Sequence, residues 1–158
     1  MAASCVADRW FGPSAGVYIP TNAGIRKALG SQWFEFGFGP SDLALKEGWK
    51  LGTDLSIVRR NGNDNRFAMV MTSFGTTYTA VNRGTDVQPF ISFRGGPTYF
   101  DYSIGQGATR VSTKRLGLNA NVEAGIVVSE RLRLSLRYNT VSKFDGFNFD
   151  GVAFLVTY

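Results

Sequence analysis

Acidic and basic side chains in this chain fall at alternate positions of segments whose other residues are largely apolar. Glu35, Lys50, Asp54, Arg94, Glu123, Arg133 and Arg137 all occupy such places. Carboxylates arranged this way could serve as a general acid and base, with Glu35 and Asp54 as the candidate pair. Three acids and four bases also suit a structural role, in which buried charges need one another as partners. The structural role is the expected one, with Glu35 and Asp54 pairing with Arg94, Arg133, Arg137 or Lys50. The chain has no His. A Ser-His-Asp or Cys-His pair, an HExxH zinc site and an imidazole switch are therefore excluded. Cys5 is the only thiol, which rules out an intrachain disulfide and a multi-cysteine metal site.

Two further segments carry oxygen ligands at alternate positions: Asn61-Gly-Asn63-Asp64-Asn65 and Asp145-Gly-Phe-Asn148-Phe-Asp150. Neither has the spacing or the closing Glu of a calcium-binding EF-hand loop. Both read as turns of ordinary hairpins. Gly105-Gln-Gly107 is too short for a dinucleotide fingerprint and follows no βα unit. No metal and no cofactor is expected.

The elements that would position these charges are strands. At 158 residues the chain fits one domain, and no run of 18 or more apolar residues offers a transmembrane helix. Gly (19 residues) and Phe (13 residues) are both frequent, as in an all-β protein. Leu116, Leu118, Ala120, Val122, Ala124, Ile126 and Val128 alternate with small or polar residues. That period of two is sustained long enough to cross a bilayer as a tilted strand. Ser129-Glu130 then leads into Leu132, Leu134, Leu136 and Tyr138, a hairpin joined by two residues. The pattern predicts six more strands: a short one around 16–19, then 34–38, 49–57, 66–78, 87–102 (interrupted by Gly95-Gly96-Pro97) and 151–158. The connections 20–31, 59–65, 101–112 and 141–147 are polar and glycine-rich, whereas 79–85 is short. Ile25–Leu29 and Leu43–Lys46 are predicted as helical turns within connections.

Alternation alone does not say which face is inside. The polar positions carry mainly Gly, Asn, Ser and the single charges above, which suits the tight polar interior of an eight-stranded membrane barrel. Trp33, Trp49, Tyr99, Tyr102, Tyr138 and Tyr158 gather toward strand ends, as an interfacial girdle requires. The expected fold is all-β, an eight-stranded antiparallel transmembrane β-barrel filling 1–158, with 1–9 as a disordered N-terminal segment. The alternative is a soluble lipocalin-like barrel or sandwich holding an apolar ligand, with Leu118, Val122, Leu134 and Phe154 pointing inward. In the membrane reading Leu118→Arg costs about 2–4 kcal/mol, while Asn119→Leu only disturbs interior polarity. Met1-Ala2-Ala3-Ser4-Cys5 lacks the basic and apolar regions of a signal peptide. The expectation is a mature chain whose signal has been removed, lipidation of Cys5 being the lesser alternative.

The ending Gly151-Val152-Ala153-Phe154-Leu155-Val156-Thr157-Tyr158 resembles the C-terminal sorting signal of outer-membrane β-barrels, with its terminal aromatic and alternating apolar residues. Residues 116–158, with Leu-Ser-Leu-Arg-Tyr at 134–138, resemble the last three strands of small OmpA-like barrels. The resemblance implies a bacterial outer-membrane location, insertion by the barrel-assembly machinery, a periplasmic C-terminus and long loops outside. It implies no shared function, because the fold hosts structural proteins, adhesins, enzymes and complement-binding proteins alike. The lipid acyltransferases and deacylases of this fold use a catalytic His, which the chain cannot supply, so no enzyme is expected. With the C-terminus periplasmic, Arg26, Lys27, Arg59, Arg60, Arg66, Arg110, Lys114, Arg115 and Lys143 lie near the outer surface, nine of the 17 basic residues. This basic ring would face the phosphates of lipopolysaccharide or an acidic partner. Outer-membrane lipids and other envelope proteins are thus expected partners. Nucleic acid is not, since the aromatics lie in the apolar strand face rather than on a stacking platform.

Overall fold

Where apolar and polar residues alternate, an extended chain sends them to opposite faces, and each segment needs neighbours on both edges to satisfy its backbone. In the computed structural model, which describes residues 12–62, 64–80, 86–105, 109–128 and 132–158, this requirement is met by closure. Strands β1 (Pro13–Pro20), β2 (Trp33–Lys46), β3 (Trp49–Gly62), β4 (Asn65–Thr79), β5 (Val87–Ile104), β6 (Val111–Val128), β7 (Leu132–Val141) and β8 (Gly151–Thr157) pair in sequence order. All neighbours are antiparallel, and β8 returns to β1, with Val17 opposite both Phe154 and Phe34. The result is a closed eight-stranded barrel. Its lower end is where β1 begins and β8 finishes. Its upper end carries, among the described residues, one helix, α1 (Ala23–Leu29), between β1 and β2. Asn22 caps that helix by accepting from the Ile25 amide at 3.1 Å.

Several boundaries differ from the sequence expectation. Leu43–Lys46 is strand, not a helical turn: β3 offers Leu51 opposite Leu43 and Lys50 opposite Ala44. The strand-breaking Pro40 falls inside a bulge between Phe38 and Ser41. β5 runs unbroken through Gly95-Gly96-Pro97. The cost appears on one edge only, where β4–β5 pairing lapses between Met71↔Thr98 and Phe74↔Gly95, because Pro97 has no N–H to give. Much of 59–65 and 101–112 is strand as well, since β3 and β5 extend to Gly62 and Ile104. The Ser129-Glu130 turn, most of 79–85, Asn63, Gln106-Gly107, Cys5 and the N-terminal segment 1–9 lie outside the described residues.

The faces are inverted relative to a soluble barrel. Leu116, Leu118, Phe34, Phe93, Leu136 and Phe154 are exposed on the outer wall. Leu118, Val122, Leu134 and Phe154, which the soluble alternative needs inside, all point out. Trp49 and Tyr78 pack at 5.2 Å on the outer wall near its lower end. Trp33 and Tyr102 are not part of an outer girdle, because both are fully buried. Their parity decides this: Trp33 shares a face with Glu35, and Tyr102 with Arg94. Inside, glycines let the wall coil tightly. A Cβ on Gly75 would meet the Phe93 carbonyl and the Arg94 backbone, and one on Gly37 would meet the Leu55 carbonyl.

Candidate functional site

The lumen has two storeys. In the lower one, Glu123 accepts from Arg94 Nη1 at 3.0 Å and lies at ion-pair distance from Arg133 Nη2 (3.3 Å) and Arg137 Nε (3.4 Å). Arg137 also holds Glu35 through Nη1 at 3.3 Å and Asp54 through Nη2 at 3.2 Å. The hydroxyl of Ser56 donates to Glu35, and Arg94 Nη2 donates to Thr77 at 2.7 Å. Arg133 stacks on Phe90, 3.6 Å from the ring centroid. Strands β2, β3, β5, β6 and β7 therefore converge on three carboxylates and three guanidiniums, a neutral set in which each buried charge has a partner. Six of the seven charges singled out from the sequence meet here. Lys50 does not: it is half-buried near the lower rim and makes no ion pair with a described residue. Glu35 and Asp54, the candidate acid and base, are bridged by Arg137 and so belong to the ion-pair network.

Asn119 does other work beside this set. Its Nδ2 donates to the Gly96 carbonyl at 3.0 Å and Thr98 Oγ1 at 2.9 Å, with longer contacts to the Pro97 and Thr72 carbonyls at 3.3 and 3.4 Å. Its Oδ1 accepts from Ser73 at 2.9 Å. These are the residues flanking the lapse that Pro97 makes in the β4–β5 ladder. Asn119 is a suture between the two strands, not merely a polar filler.

The upper storey is aromatic, so the interior is not polar throughout. Phe149 sits at its centre, 4.7 Å from Phe67, 5.2 Å from Tyr102 and 5.9 Å from Phe100, ring to ring. Trp33 bridges Phe67 at 4.7 Å and Tyr18 at 5.7 Å, and the Tyr18 hydroxyl donates to the Phe149 carbonyl. Ile25 and Leu29 of α1 close the cluster from the other side. The connection 142–150 is folded inward and tied by Asp150, whose Oδ1 accepts from the Val141 amide at 2.8 Å. Asp145 accepts from the Tyr102 hydroxyl at 2.7 Å and pairs with Arg115 at 3.3 Å. The oxygens of the faint calcium-like motif are thus spent on the fold. Sequence reasoning missed this storey because Phe149 lies in a segment read as a turn. The usable signal was Phe67, Met69, Met71, Phe100 and Tyr102, apolar residues of the same parity as Ser73 and Arg94.

The basic ring lies at the upper end, and most of it is engaged. Arg26 donates to the Pro20 and Thr21 carbonyls at 2.8 and 2.6 Å, and Arg60 to the Leu29 carbonyl at 2.8 Å. Arg66 and Lys114 flank Asp101 at 3.1 and 4.0 Å. Arg110 donates to the Asp64 carbonyl at 2.9 Å. Lys27, Arg59 and Lys143 are exposed and bond to no described residue. Along β8, Val152, Phe154 and Val156 face out, Gly151 lies against the Tyr18 ring, and the Tyr158 amide donates to the Pro13 carbonyl at 3.0 Å.

No protein-family model and no curated protein matches the sequence. Solved structures do share the fold. Neisserial surface protein A aligns over 94% of this chain and 92% of its own, at 14% identity and a TM-score of 0.64. The N-terminal β-barrel domain of Pseudomonas aeruginosa OprF aligns over 93% and 95%, at 10% identity and a TM-score of 0.59. The outer-membrane enzyme PagL aligns over 92% and 96%, at 14% identity and a TM-score of 0.57. At such identities the likeness concerns the architecture, that of the small outer-membrane barrel.

Proposed function

We infer that this chain works as a barrel of the bacterial outer membrane with a structural or interaction role, its contacts made by the upper loops and the basic rim. The inverted wall is the observation that carries this reading. Large apolar side chains such as Leu116 (76% exposed) and Phe34 (65%) face outward, while Glu123, Arg94 and Arg137 are buried. In water that wall would be an extensive apolar patch of the kind soluble monomers avoid. In lipid it is the favoured face, and closure leaves no open sheet edge in the hydrocarbon. The aromatic and ionic storeys fill the lumen, which argues against a conducting pore, and the lack of His argues against the acyl chemistry of His-dependent barrels. In this reading the lower end faces the periplasm. Gly151, Val152, Phe154, Val156 and Tyr158 serve as the signal for the barrel-assembly machinery. The rim meets lipopolysaccharide, an acidic ligand or another envelope protein.

Heat modifiability tests the reading. The purified chain is folded into detergent micelles or lipid vesicles and run unboiled and boiled on a mild SDS gel. Different mobilities are expected. Equal mobilities, with a chain that stays soluble without detergent, would replace the membrane reading with that of a soluble binder of apolar ligands.

A further inference from the structure

Above the apolar wall, on the outside of the barrel, lies a groove of about 480 Å³ lined by Val17, Phe34, Phe36, Gln32, Arg59 and Asn61, among others. Its chemistry is graded. Val17 and Phe34 are register partners on β1 and β2, and Phe36 lies on the same face beside Ile57. Directly across from Phe34, on β3, stands Arg59. Gln32 and Asn61, both exposed, complete the polar upper margin.

Arg59 differs from the other arginines of the rim. Arg26, Arg60, Arg66, Arg110 and Arg115 each have a carbonyl or carboxylate partner. Arg59 is exposed and bonds to no described residue. Arg60 lines the groove too, but its Nε is committed to the Leu29 carbonyl at 2.8 Å, while Lys27 and Lys143, also without a described partner, do not line it. A guanidinium with no described partner, beside an aromatic groove, is complementary to a molecule with an anionic head and a hydrocarbon tail. The volume lies in the range of small-molecule sites, and a planar guanidinium can give a phosphate two parallel hydrogen bonds.

We propose that this groove is a discrete site for one phosphate-bearing lipid of the surrounding leaflet. Arg59 takes the phosphate, Gln32 and Asn61 add polar contacts, and an acyl chain lies over Val17, Phe34 and Phe36. The proposal rests on the membrane reading and sharpens it: one arginine, not the ring as a whole, selects the lipid.

Native mass spectrometry of the barrel released from mild detergent provides the test, with dimyristoyl phosphatidic acid as the probe. The unaltered chain should retain one lipid at low probe concentration. Arg59→Gln should weaken that first binding event about tenfold or more, the scale of a hydrogen bond to a charged group. Phe36→Ala should weaken it by a smaller factor, whereas Lys27→Gln and Lys143→Gln should leave it unchanged. Dimyristoylglycerol, which lacks the phosphate, should not occupy the site, and inorganic phosphate should not displace the bound lipid. An equal loss in Arg59→Gln and Lys143→Gln would overturn the proposal in favour of diffuse charge attraction. Displacement by inorganic phosphate would overturn the acyl half. Every variant is first checked for its heat-dependent gel shift. A missing shift in the unaltered chain would refute the membrane reading itself, while an intact shift without selective binding would refute only the site.

Discussion

Replacing Asn119 with Leu separates an interior that is merely polar from one in which a single amide joins two strands. Asn119 is 5% exposed. Its removal takes a donor from the Gly96 carbonyl and from Thr98 Oγ1, and an acceptor from the Ser73 hydroxyl. Each buried group left without a partner costs about 1–3 kcal/mol. The two hydroxyls can rotate toward other partners and the carbonyl cannot, so the total should fall near the low end, at about 3 kcal/mol. This revises the expectation from sequence, in which Asn119→Leu was the mild change and Leu118→Arg the damaging one. Leu118 is on the outer wall, and a charge there should still cost about 2–4 kcal/mol, depending on depth. The two substitutions should therefore be comparably destabilising. Reversible urea unfolding in lipid vesicles, read by tryptophan fluorescence, measures both. Pro97→Ala supplies the control, since it returns an N–H to the lapse opposite Thr72. The cost of Asn119→Leu should shrink in that background. A loss below about 1 kcal/mol for Asn119→Leu, within the range of ordinary surface changes, would refute the suture. So would a cost that is the same with and without Pro97.

Arg137→Met leaves Glu35 and Asp54 without the guanidinium that holds them at 3.3 and 3.2 Å. It should cost about 3–5 kcal/mol, and adding Glu35→Gln with Asp54→Asn should recover most of that in the same unfolding assay. Arg66→Gln breaks a pair whose arginine is 56% exposed, so its effect should stay below about 1 kcal/mol. Phe149→Ala removes the ring at the centre of the upper storey and should cost about 3–5 kcal/mol. Its gel band should lose SDS resistance at a lower temperature. Gly75→Ala places a Cβ against the Phe93 and Arg94 backbone, which should cost about 1–3 kcal/mol. A thermal midpoint equal to that of the unaltered barrel would argue against so tight a wall.

The strand count, the outward face of Leu116 to Val128 and the inward face of Glu35, Asp54, Arg94, Glu123, Arg133 and Arg137 were legible in the sequence. They depend on parity, and parity is a local property that a period of two states directly. The extent of the strands was not legible. Pro40 and Gly95-Gly96-Pro97 are breakers by local propensity, yet a strand with partners along its length can absorb a bulge or a one-sided lapse. Closure made the remaining decisions. Glu123 and Arg137 already face each other across the β6–β7 pair, but only when β8 returns to β1 does Arg137 also reach Glu35 and Asp54, because Glu35 lies 102 residues away in the chain. The same closure gives Phe149 its pocket under α1, so a segment with turn chemistry ends in the core. It also leaves Arg59 without a partner among the described residues while tying down most of the ring. Composition determined how many cations the rim could present, but which of them lack a described partner is set by three-dimensional neighbours. Hydrogen-bond partners act over about 3 Å in space, and no spacing along the chain records that distance.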